Sequence, residues 1–329
     1  LKEGDELKSG TLITPEVVNR LKNSKIDKVL VRSPLKCQHG DGICAKCFGL
    51  NESGKLHDVG TNIGVLAGQA LSEPAVQMAM DAFHTGGVAT GRGAMSVDRL
   101  TRLRNALNMP AKLKNSSTLA RTSGKITNIK RDSVGGVDVF IGDERHFVPK
   151  DLVNHDLKIG DEVKKGQSIS HGFVNPHHLL PLTDMPTVQN HLTNEMYGGL
   201  YEKEGVRKRN VEVVVRALTN LTKVKDPGTS DFIHGDIVPT SIVEEHNRGL
   251  SKDKRPIAHE PILKSISQLP LTGTSDWMAR LNYREIHSTL QQAAAQGWKS
   301  DIHGKHPIPG VAFGAEFGKG APDKPKGHY

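Results

Sequence analysis

The chain is poor in the features that define secreted, disulfide-rich and membrane proteins. Only three of its 329 residues are cysteines, and aromatic side chains make up 4% of the sequence. No apolar run approaches the roughly eighteen residues that a membrane-spanning helix needs. The first residues, LKEGDELKSG, lack the basic and then apolar start of a secretory signal. We therefore expect neither export nor contact with a membrane, and Leu1 in place of Met leads us to expect a trimmed or partial chain.

Charge is not concentrated anywhere along the chain either. The formal net charge is +8 and the isoelectric point is about 9.3, yet no block of five like charges occurs. This balance suits an anionic partner such as nucleic acid, and an ordinary basic surface explains it equally well. The chain is long enough for two or more compact domains, each with a core of its own.

The three cysteines lie together in the segment CQHGDGICAKCFGL, which covers residues 37–50. Their C-x6-C-x2-C spacing, in a chain without an export signal, is typical of a reduced metal site rather than a disulfide. We predict that Cys37, Cys44 and Cys47 bind a structural Zn²⁺. A tetrahedral zinc site needs four ligands, so one is missing from this array. His39 is the local candidate, although the single residue between it and Cys37 makes shared coordination awkward, and three buried thiols without a metal are the alternative.

Alternation of apolar and polar residues predicts β-structure in two parts of the chain. Residues 1–35 are predicted to be β-rich, and their first segment, LKEGDELKSGTLIT, is echoed by LKIGDEVKKGQSIS at 157–170. Both copies are typical of a strand and a turn that lead into a second strand. Residues 118–172 alternate throughout and predict a small β-domain, which contains the second copy.

Helical spacing dominates elsewhere. Residues 63–107 predict a helix, a glycine-rich stretch (HTGGVATGRGAM) and a second helix that starts after an N-cap at Ser96. Pro74 marks a break or a new first turn in the first of these helices. Residues 176–220 and 277–297 are also predicted to be mainly helical, and turns and short strands separate them.

In this order, the segments resemble one family, the C-terminal third of the β′-type (largest) subunit of multisubunit DNA-directed RNA polymerases. The cysteine segment resembles the last three cysteines of that subunit's second zinc site. The segment GVLAGQALSEPAVQMAMDAFHTGGVA resembles the trigger-loop signature of the family. Further motifs follow in the family's order: NPHHLLPL, GVRKRNVEVVVRAL, DPGTSDFIHGD and HEPILKSISQLPL. The resemblance covers the chain up to about Gly320 and implies a separate, split or virus-encoded piece of a β′ subunit.

The resemblance implies an α+β, multi-module fold. The implied modules are a β-hairpin region with the zinc-binding segment (1–62), the trigger-loop helical hairpin with its flanking helices (63–112), a small jaw-like β-domain of barrel-sandwich type (113–175), a helical region with the following turn (176–245), a C-terminal helical switch and clamp region (246–320) and a disordered tail (321–329).

The resemblance also implies two kinds of metal ion. In the family the first zinc cysteine lies far upstream of the other three, so we expect the fourth ligand from a preceding segment or a separate polypeptide. The family holds its catalytic Mg²⁺ with an aspartate triad in an N-A-D-F-D-G-D loop, which this chain lacks. The segment DFIHGD at 231–236 is interpreted as a structural turn, and the bridge helix also precedes the zinc cysteines. We therefore expect Mg²⁺ to be bound outside this chain, and the chain alone to be inactive.

Four positions of the trigger-loop signature carry the chemistry that the resemblance implies. Gln77 matches the family glutamine near the ribose hydroxyls, and Met80 matches the apolar side chain that packs on the incoming base. His84 matches the histidine near the β-phosphate, which orients the leaving group or donates a proton. Asp81 departs from the family's Arg or Asn, and a carboxylate that faced a triphosphate would repel it. For Met80 an ordinary core position at helical spacing is the alternative.

The partners implied by the resemblance are the other polymerase subunits (β-like, N-terminal β′-like, α-like and ω-like), template DNA, the RNA transcript and nucleoside triphosphates. It also implies action in the cytoplasm of a bacterial or infected host cell, with packaging in a virion as a second location. A non-catalytic, zinc-containing nucleic-acid-binding or scaffold protein with the same fold is the alternative. Gln77 and the HTGG stretch at 84–87 favour the polymerase, because a scaffold has no need of a mobile loop that closes on nucleotides.

Overall fold

A computed structural model describes residues 10–24, 29–39, 42–84, 92–132, 135–269 and 286–297. The chain divides into two compact units, Leu1–Arg32 and Ser33–Tyr329. All of the strands and most of the helices described below belong to the second unit.

The described part of the first unit contains one helix, α1 (Pro15–Lys22). Thr14 caps this helix, since its hydroxyl accepts a hydrogen bond from the Val17 N–H at 3.4 Å, and a proline follows in the first turn. The prediction that residues 1–35 are β-rich is therefore wrong for this segment, because the Thr-Pro-Glu helix start outweighs the alternation. Residues 1–9, which hold most of the first copy of the repeated segment, lie outside the described residues.

Helices are the commonest regular elements in the described part of the second unit. They are a short 3₁₀-helix (Pro34–Lys36), α2 (Ala45–Phe48), α3 (Ile63–His84), α4 (Arg92–Asn108), a second 3₁₀-helix (Lys150–Leu152), α5 (Pro176–Leu179), α6 (Met185–Met196), a π-helix (Tyr197–Tyr201), α7 (Lys208–Thr219), α8 (Thr240–Arg248) and α9 (Ile286–Gln296).

The predicted helical pair at 63–107 is confirmed as α3 and α4, with two corrections. Pro74 lies inside α3 and does not end it. Helix α4 already begins at Arg92, so Ser96 lies within the helix and is not its N-cap. The prediction placed the helix start at the first good capping residue, whereas the backbone enters the helix four residues earlier.

Two antiparallel sheets complete the second unit, which confirms the α+β class. The first has the order β3-β2-β1-β4, and the second has the order β6-β5-β7. Within the first sheet, the two-residue strand β4 comes from the LKIGDEVKKGQSIS segment and pairs with the start of β1. The strands are β1 (Gly124–Arg131), β2 (Val137–Ile141), β3 (Glu144–Val148), β4 (Glu162–Val163), β5 (Leu221–Asp226), β6 (Ile237–Pro239) and β7 (Ala258–Ile262).

Helix α7 is the element that joins the helical core to the cysteine segment. It packs against α3, α6 and the first 3₁₀-helix, and most of its residues from Val211 onward are buried. Val211, Val214 and Leu218 belong to the large core of the helical region, whereas Val213 packs with the cysteines. Burying a side chain of this kind contributes roughly 1.5–3 kcal/mol, so α7 stabilises both clusters.

The β-domain has a separate core, formed by the inward side chains of β1, β2, β3 and β4 together with Ala120, Leu152 and Ile169. The boundaries and identities of the six implied modules stay predictions. The tail at 321–329 and most of residues 270–320 lie outside the described part of the chain.

Candidate functional site

The three cysteine sulfurs come together in space, as the spacing predicts. Every Sγ atom of Cys37, Cys44 and Cys47 lies within 4.8 Å of the other two. Sulfurs that share one tetrahedral Zn²⁺ at Zn–S distances of about 2.3 Å are about 3.8 Å apart, so this separation fits one ion. Cys37 and Cys47 are buried, and Cys44 is half-buried. Soft thiolate ligands in this arrangement suit Zn²⁺ better than the harder cations.

Local backbone geometry explains how the sulfurs converge. Cys44 is the N-cap of the one-turn helix α2, and the two-residue spacing brings Cys47 onto the same side of that turn. Gly49 ends the turn with a φ of +94°, a backbone conformation that residues other than glycine rarely adopt. The Cys44 N–H donates a hydrogen bond to the Cys37 sulfur at 3.3 Å, which ties the first cysteine to the other two.

The surroundings of Cys37 favour the thiolate that a metal needs. A hydrogen bond with the Cys47 side chain is the largest cause that lowers the pKa of Cys37 to about 4, and burial opposes it. The backbone N–H groups of Cys44 and His39 and the charge of Arg216 lower this pKa further. The segment is therefore set up for deprotonated sulfur, the form that binds zinc.

Arg216 of α7 holds the backbone of the cysteine segment. Arg216 is buried, with 8% of its surface exposed, and its guanidinium donates to four carbonyl oxygens. The Nη1 atom lies 2.8 Å from the oxygen of Pro34 and 2.7 Å from that of Cys37. The Nη2 atom lies 3.0 Å from the oxygen of His39 and 3.3 Å from that of Gly42. One side chain thus holds the backbone at four described positions from Pro34 to Gly42.

Arg209, seven residues earlier on α7, fixes the other end of the segment. Its Nη1 donates to the carbonyl oxygens of Phe48, at 3.2 Å, and Leu50, at 2.5 Å. The guanidinium carbon lies 4.4 Å from the centre of the Phe48 ring, and the His57 ring packs edge-on against the same phenyl ring at 5.1 Å. The two arginines therefore hold the cysteine segment against α7 from both sides.

His39 does not join the cysteine sulfurs. Among the described residues, the group of potential ligand atoms contains the three cysteines and no histidine or carboxylate. The backbone of His39 faces Arg216 and Cys37 instead. A fourth ligand from outside this chain stays a prediction.

Helix α3 presents the residues that the trigger-loop resemblance singles out. Met78 is 5% exposed and belongs to the main core, whereas Met80 is 54% exposed. The alternative that Met80 is an ordinary core residue is therefore wrong for the described part of this chain. Gln77 is exposed on the same helix. The last turn of α3 contains Asp81 and His84, whose side chains lie outside the described residues, as do residues 85–91 of the glycine-rich stretch.

Pro74 removes one backbone hydrogen bond from α3, and a neighbouring side chain bonds to the helix close to this point. Proline has no N–H, so the carbonyl of Ala70 has no donor four residues ahead. The buried hydroxyl of Tyr201, on the π-helix, donates to the next carbonyl along, that of Leu71, at 3.2 Å. Burial raises the pKa of Tyr201, so this hydroxyl stays protonated and remains a donor.

A cleft of about 610 Å³ opens beside this helix, between α3, the cysteine segment and the start of α7. Its lining includes Phe48, His57, Pro74, Gln77, Arg207 and Arg209. Of the predicted trigger-loop residues whose side chains the structure describes, Gln77 lines this cleft and Met80 does not. None of the helices in the described ranges is long and apolar enough to cross a membrane.

Sequence reasoning missed the parts of the site that depend on distant contacts. Arg216 bonds to Cys37 across 179 positions of the chain, and Tyr201 bonds to Leu71 across 130. The one local signal was a single cation within the apolar run VEVVVRAL, because an arginine surrounded by buried valines must find acceptors inside the protein.

Comparisons with known proteins agree with the resemblance stated above. Residues 5–137 match the family described as RNA polymerase Rpb1, domain 5. The chain is 31% identical over 307 residues to the DNA-directed RNA polymerase subunit beta' of Malacoplasma penetrans (strain HF-2), a match that covers 90% of this chain and 24% of the relative. It is 31% identical over 297 residues to that of Caldicellulosiruptor saccharolyticus, with 88% and 25% covered. It is 30% identical over 314 residues to that of Deinococcus radiodurans, with 92% and 20% covered.

The chain spans about a quarter of the length of the curated relatives that it matches. The similarity runs through nearly the whole chain, including the cysteine segment, α3 and α7. The chain therefore belongs to the β′ family of DNA-directed RNA polymerase subunits and corresponds to part of such a subunit.

Proposed function

We propose that this chain is a working part of a DNA-dependent RNA polymerase and supplies the trigger loop that closes on the incoming nucleoside triphosphate. The single observation that supports this most is the similarity to β′ subunits over about nine-tenths of the chain, which includes the complete α3 segment. In this proposal the glycine-rich stretch after α3 folds and unfolds during each addition. Closure excludes water and positions the triphosphate, the kind of gating that many enzymes use.

Each trigger-loop residue has a proposed role. Gln77 contacts the ribose hydroxyls, and Met80, whose side chain is exposed, packs on the base of the incoming nucleotide. His84 orients the triphosphate and stabilises or protonates the leaving pyrophosphate. These roles come from position-by-position agreement with the family signature, and Asp81 is the position at which that agreement fails.

The two metals have different proposed places. Zn²⁺ bound by the three cysteines is structural, because four protein ligands leave no open position for water or substrate. Mg²⁺, when bound, supplies electrophilic assistance to phosphoryl transfer, and we propose that its aspartate ligands belong to another segment or chain. The residues of this chain then act on the nucleotide by positioning it, by hydrogen bonding and, at His84, by orienting or protonating the leaving group.

The proposed partners are a β-like subunit, an N-terminal β′-like subunit and α-like and ω-like subunits, together with template DNA and the RNA transcript. A split or virus-encoded β′ chain would act in the cytoplasm of the bacterial or infected cell, and a virus would also package it in the virion. The jaw-like identity of the β-domain and the switch and clamp identity of residues 246–320 are part of the same proposal.

Affinity purification of the tagged chain from its source cells tests the proposal. We expect large chains that contain the N-A-D-F-D-G-D loop to co-purify in equal amount, and the complex to extend an RNA primer on a DNA template. Recovery of the chain without such chains, bound to nucleic acid but unable to extend RNA, would instead support the non-catalytic scaffold.

A further inference from the structure

One face of α7 contacts the cysteine segment through three side chains. Arg209, Val213 and Arg216 follow one another at spacings of four and three residues, so their side chains lie on the same side of the helix. Val213 is fully buried in the cluster that contains Cys37 and Cys47. The two arginines flank it and bond to the backbone at either end of the segment.

Arg216 donates to four carbonyl groups in a part of the chain that has little regular structure. Of the described residues from Pro34 to Gly42, only the first three form a helix, a single 3₁₀ turn. The carbonyls of Pro34, Cys37, His39 and Gly42 all accept from this one guanidinium, and that of Pro34 also accepts from the Cys37 N–H at 3.3 Å. A buried carbonyl without a donor costs about 1–3 kcal/mol. The planar fork of an arginine presents several donors in fixed directions, whereas a lysine ammonium cannot span four such acceptors.

Arg216 also supplies the charge that a thiolate site needs. Three thiolates with one Zn²⁺ carry a net charge of −1, and a fourth thiolate would make it −2. Placing such a charge in a buried site is unfavourable unless an opposite charge lies close by. The guanidinium of Arg216 lies 2.7 Å from the carbonyl oxygen of Cys37, so its positive charge is next to the cysteine cluster. Among the described residues, Arg216 is the buried arginine at this segment.

We propose that Arg216 is the positioning residue of the zinc centre: it fixes the loop between Cys37 and Cys44 and balances the charge of the metal-bound sulfurs. This inference rests on the proposed zinc site and adds a residue 169 positions downstream of Cys47 to it. Partners of metal ligands typically contribute about 10-fold to 100-fold to metal affinity. Loss of the Arg216 fork should therefore loosen the metal without removing any ligand.

The test uses the complete chain with the subunits that co-purify with it. Zinc content is measured by atomic spectrometry, and zinc release is followed with a chromogenic chelator. We expect Arg216→Met, which keeps an unbranched side chain but no donor or charge, to release zinc about 10-fold to 100-fold faster. Arg216→Lys keeps the charge but not the fork, so its release should also be faster than that of the unchanged chain. Arg145→Met is the matched control, because it removes an arginine that pairs with Asp138 at 2.9 Å in the β-domain.

The outcomes separate this inference from the proposed function. Wild-type release from both Arg216 variants would overturn the inference while leaving the zinc site in place. Equal acceleration by Arg145→Met would overturn it too, because the effect would then be a general loss of stability. If Arg216→Met fails to assemble, the Arg216→Lys rate decides. An unchanged chain that carries no zinc would overturn the zinc site itself, and the inference with it.

Discussion

Asp81 is the residue at which this chain departs most clearly from the trigger-loop pattern that it otherwise follows. The family has Arg or Asn at this position, and both can donate hydrogen bonds to phosphate oxygens. A carboxylate accepts only, so the same closed geometry would place two negative groups together. A substitution at Asp81 is therefore a direct test of the proposal that this segment closes on the nucleotide.

We expect Asp81→Arg to lower the KM for nucleoside triphosphates about tenfold if residue 81 faces the triphosphate, because the change replaces repulsion with attraction. Nucleotide addition by the assembled enzyme, measured over a range of triphosphate concentrations, provides the comparison. Asp143→Arg makes the same charge change in the exposed turn between β2 and β3 and should leave the KM unchanged. An unaltered KM in the Asp81 variant would mean that its side chain points away from the nucleotide.

His84→Ala should slow nucleotide addition about 10²-fold to 10³-fold, since a positioned donor or proton-transfer group is lost. Single-nucleotide addition in a rapid-mixing experiment measures the effect. His84→Gln keeps a hydrogen-bond donor and should recover much of the rate if the histidine only positions the phosphate. His155→Ala, at an exposed position of the β-domain, is the control. Full activity of the alanine variant at residue 84 would contradict the proposed trigger-loop role.

At the residue scale, the sequence predicted what is local and missed what is distant. Cys37, Cys44 and Cys47 were recognisable because their spacing alone brings three sulfurs within reach of one ion. The role of Arg216 was not recognisable, because the residues around it in the sequence do not indicate which carbonyls it contacts in a segment far upstream. The burial of Met78 and the exposure of Met80 also depended on which neighbours α3 packs against.

At the scale of elements, Pro74 and the π-helix both affect the same part of α3. The proline weakens the hydrogen-bond ladder of α3 just before the turns that carry Gln77 and Met80. Tyr201 donates to a carbonyl at this weakened turn from the π-helix, an element that is uncommon and often has a specific role. A contact with the helical core therefore lies next to the turn at which α3 lacks one of its hydrogen bonds.

The contact between the 171–173 and 115–117 segments of the β-domain leads to a prediction about stability. The 115–117 and 171–173 segments pair through two backbone hydrogen bonds: the Phe173 N–H donates to the carbonyl of Asn115 at 3.2 Å, and the Ser117 N–H donates to that of Phe173 at 3.0 Å. Gly172 has a φ of +111°, and a Cβ atom there would lie 2.5 Å from the carbonyl oxygen of Asn115. Gly172→Ala should therefore lower the free energy of unfolding by about 3 kcal/mol or more, since both strain and a backbone clash arise.

Gly160→Ala is the matched control for this change. Gly160 has a similar φ of +99°, but nothing lies within 4 Å of its Cβ position. Strain alone should lower the free energy of unfolding by about 1 kcal/mol. Thermal unfolding of both variants measures the difference, and equal losses would mean that the 115–117 and 171–173 segments do not pair as described.

Elements were predicted well where their pattern is long and poorly where it is short. The α3–α4 pair and the β-domain extend over many residues, so the periodicity identified them. Helix α1 has only eight residues, and the prediction of β-structure for this segment did not take its helix-start signal into account. That signal, a capping threonine followed by a proline, is more informative than the apolar spacing of so short a helix. The predicted start of α4 was wrong because Ser96, a good capping residue, lies inside the helix and not at its start.

At the scale of the whole molecule, the chain should work only within an assembly. The complex purified with the partner subunits should contain about one zinc at the three cysteines, whereas the isolated chain should hold it less tightly, because one ligand is expected from outside. Metal analysis of both forms, together with an extension assay, tests this. An isolated chain that retains its zinc and extends RNA would contradict the assembly.

The position of α7 has a consequence for how the molecule unfolds. Its Val213 face belongs to the cysteine cluster and its Val211, Val214 and Leu218 side belongs to the main core, so neither cluster can open without uncovering the other. Amide protons in α2 and in the middle of α7 should then exchange with solvent in one cooperative event, and removal of zinc should accelerate the exchange of both. The cysteine segment would thus report, through hydrogen exchange, on the integrity of a core to which it contributes only a few side chains.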